Sequence, residues 1–547
     1  MPAGLGLLLA LLVLVPIGFM FAGSVLSGGL MDPETHFTWD KLRAVYASSA
    51  SLRTVGSTLA ISAMVSGLAT FAGMMLAWVV ARTDLPAKGL METCIVAPLF
   101  LSPFVGAIAW LILASPKAGI LNRIFSAGGP WVNVATPGGI VAIMSLYFVP
   151  YAYLTIASSL RNIDPAMEEA SYLNGASILG TARRVTLPVV RPSILSAFFF
   201  IFVLSAGTFA IPAVLDRGSQ VRFLAVDVFQ ASATYPIDYG RSAAIGTLLF
   251  WISVIGIACY RLAAQAGRRF VTVTARGFRI RLVRLGSWRV VAVAAVIGYV
   301  LLAVVLPYLA LIYSAFTRFT SASLLNAPWT TRNFVNVASS PEVVASIENT
   351  LLVGLISPTL CLVLGVFIAY AVRRMRVACG RLLDYLAMFP IAVPGIVFGT
   401  GIFWTYILTP AYGTIWVLVL AFVASYLPFA YRISDTALLQ IDRSLEEAAS
   451  LCGASHLTTA VSVTARLMRP ALLSAWTMVF IFSVREISAA ILLSSSDNVV
   501  LSVLSWNYLD YGDVPKAAVV GLIQTVILAA GIVVGRFVFR VRLTGAM

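Results

Sequence analysis

Two short segments hold most of the side chains that could do chemistry in this 547-residue chain: DPAMEEASYLNGAS, from Asp164, and DRSLEEAASLCGAS, from Asp442. Each sets two adjacent carboxylates, Glu168 and Glu169 or Glu446 and Glu447, ahead of a small residue, Ala170 or Ala448, and a glycine, Gly175 or Gly453. Paired carboxylates near a helix start suit the positive end of the helix dipole and recognition by charge. Metal chemistry needs several ligands at one site, and the two histidines, His36 and His456, stand far apart in the sequence. The chain has no GxxxxGK[ST] loop to cradle nucleotide phosphates and no HExxH pair, so no residue is a candidate for catalysis or metal ligation. A second constellation, Arg485 with Glu486, sits inside an otherwise apolar stretch. Ionisable groups in such a place either fix packing or mark the route of a polar solute.

Asp164 is a good N-cap followed by proline at the first helical position, and Ser444 with Glu447 has capping-box spacing. The two helix starts are thus expected to differ in construction. Gly175 and Gly453 can take φ > 0 and turn the chain, so each segment is predicted to be a short helix, a bend and a second short helix. Isolated helices below about 12 residues are marginal in water. Their paired glutamates do not suit a lipid surface, which favours Lys and Arg, so a protein partner is expected on each.

The elements that carry these segments are apolar. Hydrophobic residues make up 60% of the chain and charged residues 11%, against about 25% charged in soluble domains. Runs such as Leu5 to Leu26 and Val290 to Tyr313 exceed the roughly 20 residues a helix needs to cross a bilayer. The first has no basic n-region ahead of it and reads as a retained span, not a cleaved leader. Spans are predicted near 5–27, 54–81, 92–115, 138–160, 193–215 and 242–262, then 290–316, 348–372, 382–408, 414–433, 470–494 and 516–538. With the N-terminus inside, 25 of the 37 Lys and Arg residues fall on the inner side, so the positive-inside rule places both termini and both charged segments in the cytoplasm. The net charge of +15 is then explained by anionic lipid at the inner leaflet and implies no nucleic acid. The five cysteines have no CxxC spacing or pairing pattern.

The chain is also duplicated. STLAIS at Ser57 matches NTLLVG at Asn349 with an offset of 292, and RPSILSAF at Arg191 matches RPALLSAW at Arg469 with an offset of 278. The repeats are 1–265 and 290–547, joined by a basic linker at 266–289. Six spans in each make the repeats parallel, an arrangement that encloses a pathway at the interface. The fold class expected is an all-α membrane protein of about twelve transmembrane helices in two parallel six-helix repeats.

EASYLNG (Glu169 to Gly175) with VTLP (Val185 to Pro188), and EAASLCG (Glu447 to Gly453), resemble the EAA loop of permease subunits of binding-protein-dependent ABC importers, of the type I kind. The resemblance covers almost the whole chain. It implies that Glu168, Glu169, Ala170, Gly175, Glu446, Glu447, Ala448 and Gly453 couple the chain to two separate ATP-binding cassette ATPase subunits. ATP and Mg would be held by those partners, no cofactor by this chain. It further implies a periplasmic substrate-binding protein and a place in the bacterial inner membrane. The stretch Phe482 to Trp506 resembles fused permeases of the ferric iron type, which include thiamine and polyamine relatives, and makes Arg485 and Glu486 pathway or gating candidates. One departure from the loop pattern is Arg466, where the first copy has Pro188. The fixed φ of proline would make the first exit the stiffer one.

Overall fold

The computed structural model of the chain describes residues 2–28, 34–125, 131–216, 221–267, 283–318, 328–375 and 379–538. Residues 268–282 of the predicted linker lie outside the described residues. The first repeat supplies α1 (Gly4–Ser24), α2 (Ser49–Arg82), α3 (Lys88–Phe100), α4 (Pro103–Ala114), α5 (Pro137–Arg161), α6 (Pro165–Leu173), α7 (Ile178–Ala206) and α8 (Tyr239–Gln265). The second supplies α9 (Trp288–Ala315), α10 (Pro341–Arg373), α11 (Gly380–Ala392), α12 (Gly395–Tyr406), α13 (Ile415–Leu439), α14 (Arg443–Leu451), α15 (Ala460–Arg485) and α16 (Val514–Arg536). Among the described residues, ten of these are long and apolar enough to cross a membrane, and twelve spans result if each bent pair is one.

Those bent pairs correct the expectation of straight spans at 92–115 and 382–408. The chain turns by 93° between α3 and α4 and by 110° between α11 and α12. The cause is local. A tight 3-10 turn, Ala97–Phe100 or Phe389–Ala392, ends each first helix and carries a proline, Pro98 or Pro390. The following Pro103 and Pro394 then disfavour helical geometry at the residue before them, and Ser102 and Val393 are extended, both with ψ 118. A second correction concerns the spans expected at 193–215 and 470–494, which end at Ala206 and Arg485. A third concerns the second short helix after each bend. It is the first turn of the next span: Ile178–Thr181 runs through the π turn Ala182–Thr186 into α7, and the π turn Ala460–Thr464 opens α15 in the same way. The two π turns are equivalent in the duplication, so Arg466 leaves the same exit backbone as Pro188.

Small residues let the long helices cross closely, as expected where lipid supplies no hydrophobic drive between them. A Cβ on Gly73 of α2 would lie 2.5 Å from Ala152 Cβ of α5, and one on Gly365 of α10 would lie 2.8 Å from the Tyr431 backbone nitrogen of α13. The first helix of each repeat crosses to the other. Gly401 of α12 packs on the Pro16 carbonyl of α1, and the Tyr299 hydroxyl of α9 donates to the Leu146 carbonyl of α5 at 3.0 Å. At the end of the bundle that carries α6 and α14, the last part of the linker returns to the first repeat. Val283 pairs with Thr83 in a β-bridge, and the Leu285 backbone N–H donates to Asp84 at 2.9 Å.

Candidate coupling surfaces and pathway

Both charged segments form the short helix that the sequence predicts, α6 and α14, but their starts are built alike. Asp164 accepts from the Ala166 backbone N–H at 2.9 Å, and Asp442 accepts from the Ser444 N–H at 2.9 Å. Asp442, not Ser444, is therefore the N-cap of α14. An Asp carboxylate there gains, beyond the cap hydrogen bond, from the positive end of the helix dipole. The Ser444 N–H in turn holds the exposed Asp442 carboxyl below its usual pKa. Both helices end at glycines with φ +80 (Gly175) and +84 (Gly453).

The paired glutamates divide their work. Glu168 turns inward: its carboxylate lies 3.3 Å from the Arg82 guanidinium at the end of α2 and accepts from the Thr186 hydroxyl at 2.8 Å. Glu446 repeats the arrangement with Arg374, which directly follows α10, at 3.0 Å and Thr464 at 2.9 Å. Arg374 also donates to the Leu438 and Ile441 carbonyls. Glu169, Ala170 and Gly175, like Glu447, Ala448 and Gly453, are exposed. Beside them Leu173 and Leu451, equivalent in the duplication, are each 89% exposed. Each segment thus presents carboxylate and leucine outward from a helix tied by an ion pair to the bundle. Sequence reasoning missed Arg82, Arg374, Thr186 and Thr464. The arginines recur at the 292 offset and the threonines at the 278 offset, so the duplication itself carried the signal.

Arg485 and Glu486 lie where the two repeats meet. The apolar run predicts them as neighbours on one helix; instead α15 stops at Arg485 and Glu486 is extended, with φ −69 and ψ 128. The Arg485 guanidinium reaches the bend of the first repeat, donating to the Leu99 and Leu101 carbonyls, the latter at 3.1 Å, and to the Tyr151 hydroxyl at 3.4 Å. It also stands 4.8 Å from the Phe482 ring centroid. Glu486 accepts from the Tyr426 hydroxyl and from the Ala489 backbone N–H at 3.1 Å. A cavity of about 190 Å³ opens between the repeats, lined by Phe229, Tyr239 and Ser242 of one and Thr400, Trp404 and Tyr412 of the other. Its lining includes Tyr239, the first residue of α8, and Tyr412, in the turn between α12 and α13. Among the described residues, no three His, Cys, Asp or Glu side chains gather as a metal site would require.

Two transmembrane repeats, each with an anchored outward helix, meet at a central interface. The family described as "Binding-protein-dependent transport system inner membrane component" matches residues 69–319 and 361–542. The chain belongs to this family. It is a multi-pass permease with both transmembrane units fused in one polypeptide. The ferric transport system permease protein FbpB of Actinobacillus pleuropneumoniae is 25% identical over 91% of this permease and 73% of its own length. A putative ferric transport system permease protein, FbpB 1 of Haemophilus influenzae, is 24% identical over 90% of this permease and 77% of its own length. A probable sulfate transport system permease protein of Nephroselmis olivacea is 27% identical over 42% of this permease and 78% of its own length. A solved bacterial alginate ABC transporter in complex with an alginate-bound periplasmic protein aligns with 17% identity and a TM-score of 0.35, over 43% of this permease and 84% of its own chain.

Proposed function

We propose that this permease imports ferric iron delivered by a separate periplasmic binding protein, with ATP and Mg held by two separate ATPase subunits. The observation that carries the substrate is the similarity to ferric permeases along about nine tenths of the chain. Support for two ATPases comes from the twin surfaces around Leu173 and Leu451, exposed and built alike. Each would seat one subunit through Glu169 and Gly175 or Glu447 and Gly453. In this reading the termini and α6 and α14 face the cytoplasm of a bacterium, because the basic residues cluster there. The cavity between the repeats faces the periplasm and receives the cargo.

The geometry supports a transmission path. Helix α2 runs for 34 residues, from Ser49 to Arg82. With a rise of about 1.5 Å per residue, a helix of that length extends about 50 Å, well beyond a hydrocarbon core of about 30 Å. Its end holds Arg82, and α10 leads directly to Arg374. Because Glu168 and Glu446 bind these arginines, a displacement of α6 or α14 by a moving ATPase pulls α2 or α10 along. Iron passes as cargo, and this chain supplies alignment and gating. The test is uptake of radiolabelled ferric iron by proteoliposomes holding the permease, its ATPase and its binding protein. ATP-dependent accumulation of iron is the expected result. Accumulation of another solute, with iron ignored, would refute the substrate assignment.

A further inference from the structure

Among the contacts between the two repeats, one equivalent pair has diverged chemically. In each contact, the point where a long helix stops touches the bend of the opposite repeat. On one side α7 stops at Ala206, and the next residue, Gly207, packs on Pro394, so closely that a Cβ there would lie 2.7 Å from the proline Cβ. On the other side the equivalent of Gly207 is Arg485, and the contact is made by its guanidinium on the Leu99 and Leu101 carbonyls and the Tyr151 hydroxyl. Among the described residues no ion pair joins Arg485 to a carboxylate, and the neighbouring Glu486 is engaged by Tyr426 and Ala489 instead.

We propose that Arg485 is the clasp of a one-sided gate, and that the Gly207–Pro394 contact is the hinge about which the two repeats part. The chemistry of the two contacts differs in what separation costs. Parting a glycine from a proline ring loses van der Waals contact and exposes apolar surface, with no polar group for water to satisfy. Parting Arg485 from its carbonyls frees a guanidinium and two carbonyl groups, each of which entering water can satisfy. Closed, the half-buried guanidinium locks the contact, because directional hydrogen bonds strengthen where the local dielectric falls. The clasp thus holds while the contact is closed and is released when water enters. A single arginine fork suits this task, since it holds three acceptors at once in fixed geometry.

The clasp is tested first on the full chain alone, in lipid nanodiscs, by hydrogen–deuterium exchange of two equivalent segments. Arg485→Gln should raise amide exchange over residues 97–105 by about tenfold while residues 389–397 stay within about twofold of the unaltered chain. Arg485→Lys keeps the charge without the fork and should fall between. This variant also decides the matter if the glutamine variant does not fold. No change, or equal change in both segments, would overturn the clasp. The second arm rests on the ATP-driven reading and asks whether the clasp gates. With ATPase subunits bound but no binding protein, Arg485→Gln should raise ATP hydrolysis by about threefold or more, because a gate already released biases the coupled equilibrium. Raised exchange with unchanged hydrolysis, in a complex that still imports, would reduce Arg485 to a structural staple and overturn the gate. If the unaltered chain recruits no ATPase, the functional reading fails, and the exchange comparison still decides the clasp.

Discussion

Removing the Glu168 carboxylate would leave the Arg82 guanidinium, whose side chain is 3% exposed and makes no hydrogen bond of its own, without its partner. Removing Glu446 would leave Arg374 still donating to two backbone carbonyls. Breaking a buried pair from one side costs about 3 kcal/mol or more. Glu168→Ala should therefore lower the thermal stability of the purified permease by about that amount, and Glu446→Ala by clearly less. Equal shifts in the melting curve would contradict the difference between the two anchors. Glu169→Ala and Glu447→Ala, on the exposed face, should leave the melting curve within about 0.5 kcal/mol of the parent while weakening ATPase recruitment in a pull-down. The division of labour between adjacent glutamates could not be read from the sequence, where EE is simply repeated. Only the positions of Arg82 and Thr186 decide which carboxylate turns inward. The N-cap of α14 escapes the sequence for a related reason: Ser444 and Glu447 have capping-box spacing, yet Asp442, two residues earlier, makes the cap hydrogen bond.

Between α6 and α7 the chain turns at Gly175, and between α14 and α15 at Gly453, with φ of +80 and +84. A β-branched residue there meets open space but must adopt the left-handed region, at about 1–2 kcal/mol. Gly175→Val and Gly453→Val should each reach the membrane and bind ATPase, but hydrolyse more ATP per iron imported. The ratio of hydrolysis to uptake, measured in proteoliposomes, checks this, and an unchanged ratio would count against the turns as coupling elements. The number of spans and their approximate places were legible because apolar runs register directly in hydropathy. Their interruptions were not. The turn between α3 and α4 rests on Pro98 and Pro103 inside a run that stays apolar throughout, and α15 ends at Arg485 inside another. Hydropathy does not distinguish a straight span from one broken by backbone geometry.

Duplication shaped the whole molecule, and the two repeats interlock. With α1 packed on α12, Tyr299 of α9 bonded to α5, and Val283 paired with Thr83, neither repeat buries its surface alone. A chain cut between residues 267 and 283 and expressed as two pieces should therefore copurify as one complex. Independent, stable pieces would show that the crossed helices contribute little. The offsets of 292 and 278 disclosed the repeats from sequence, but not this crossing, because nothing in the spacing says which repeat a first helix joins. In the proposed function one chain seats two ATPase subunits on two equivalent surfaces. The most direct test of that seating places a photo-crosslinking residue at Leu173 or at Leu451 in the complex active for import. Each position alone should capture an ATPase subunit, and both together should capture two per permease. An active complex in which neither position captures an ATPase would contradict it.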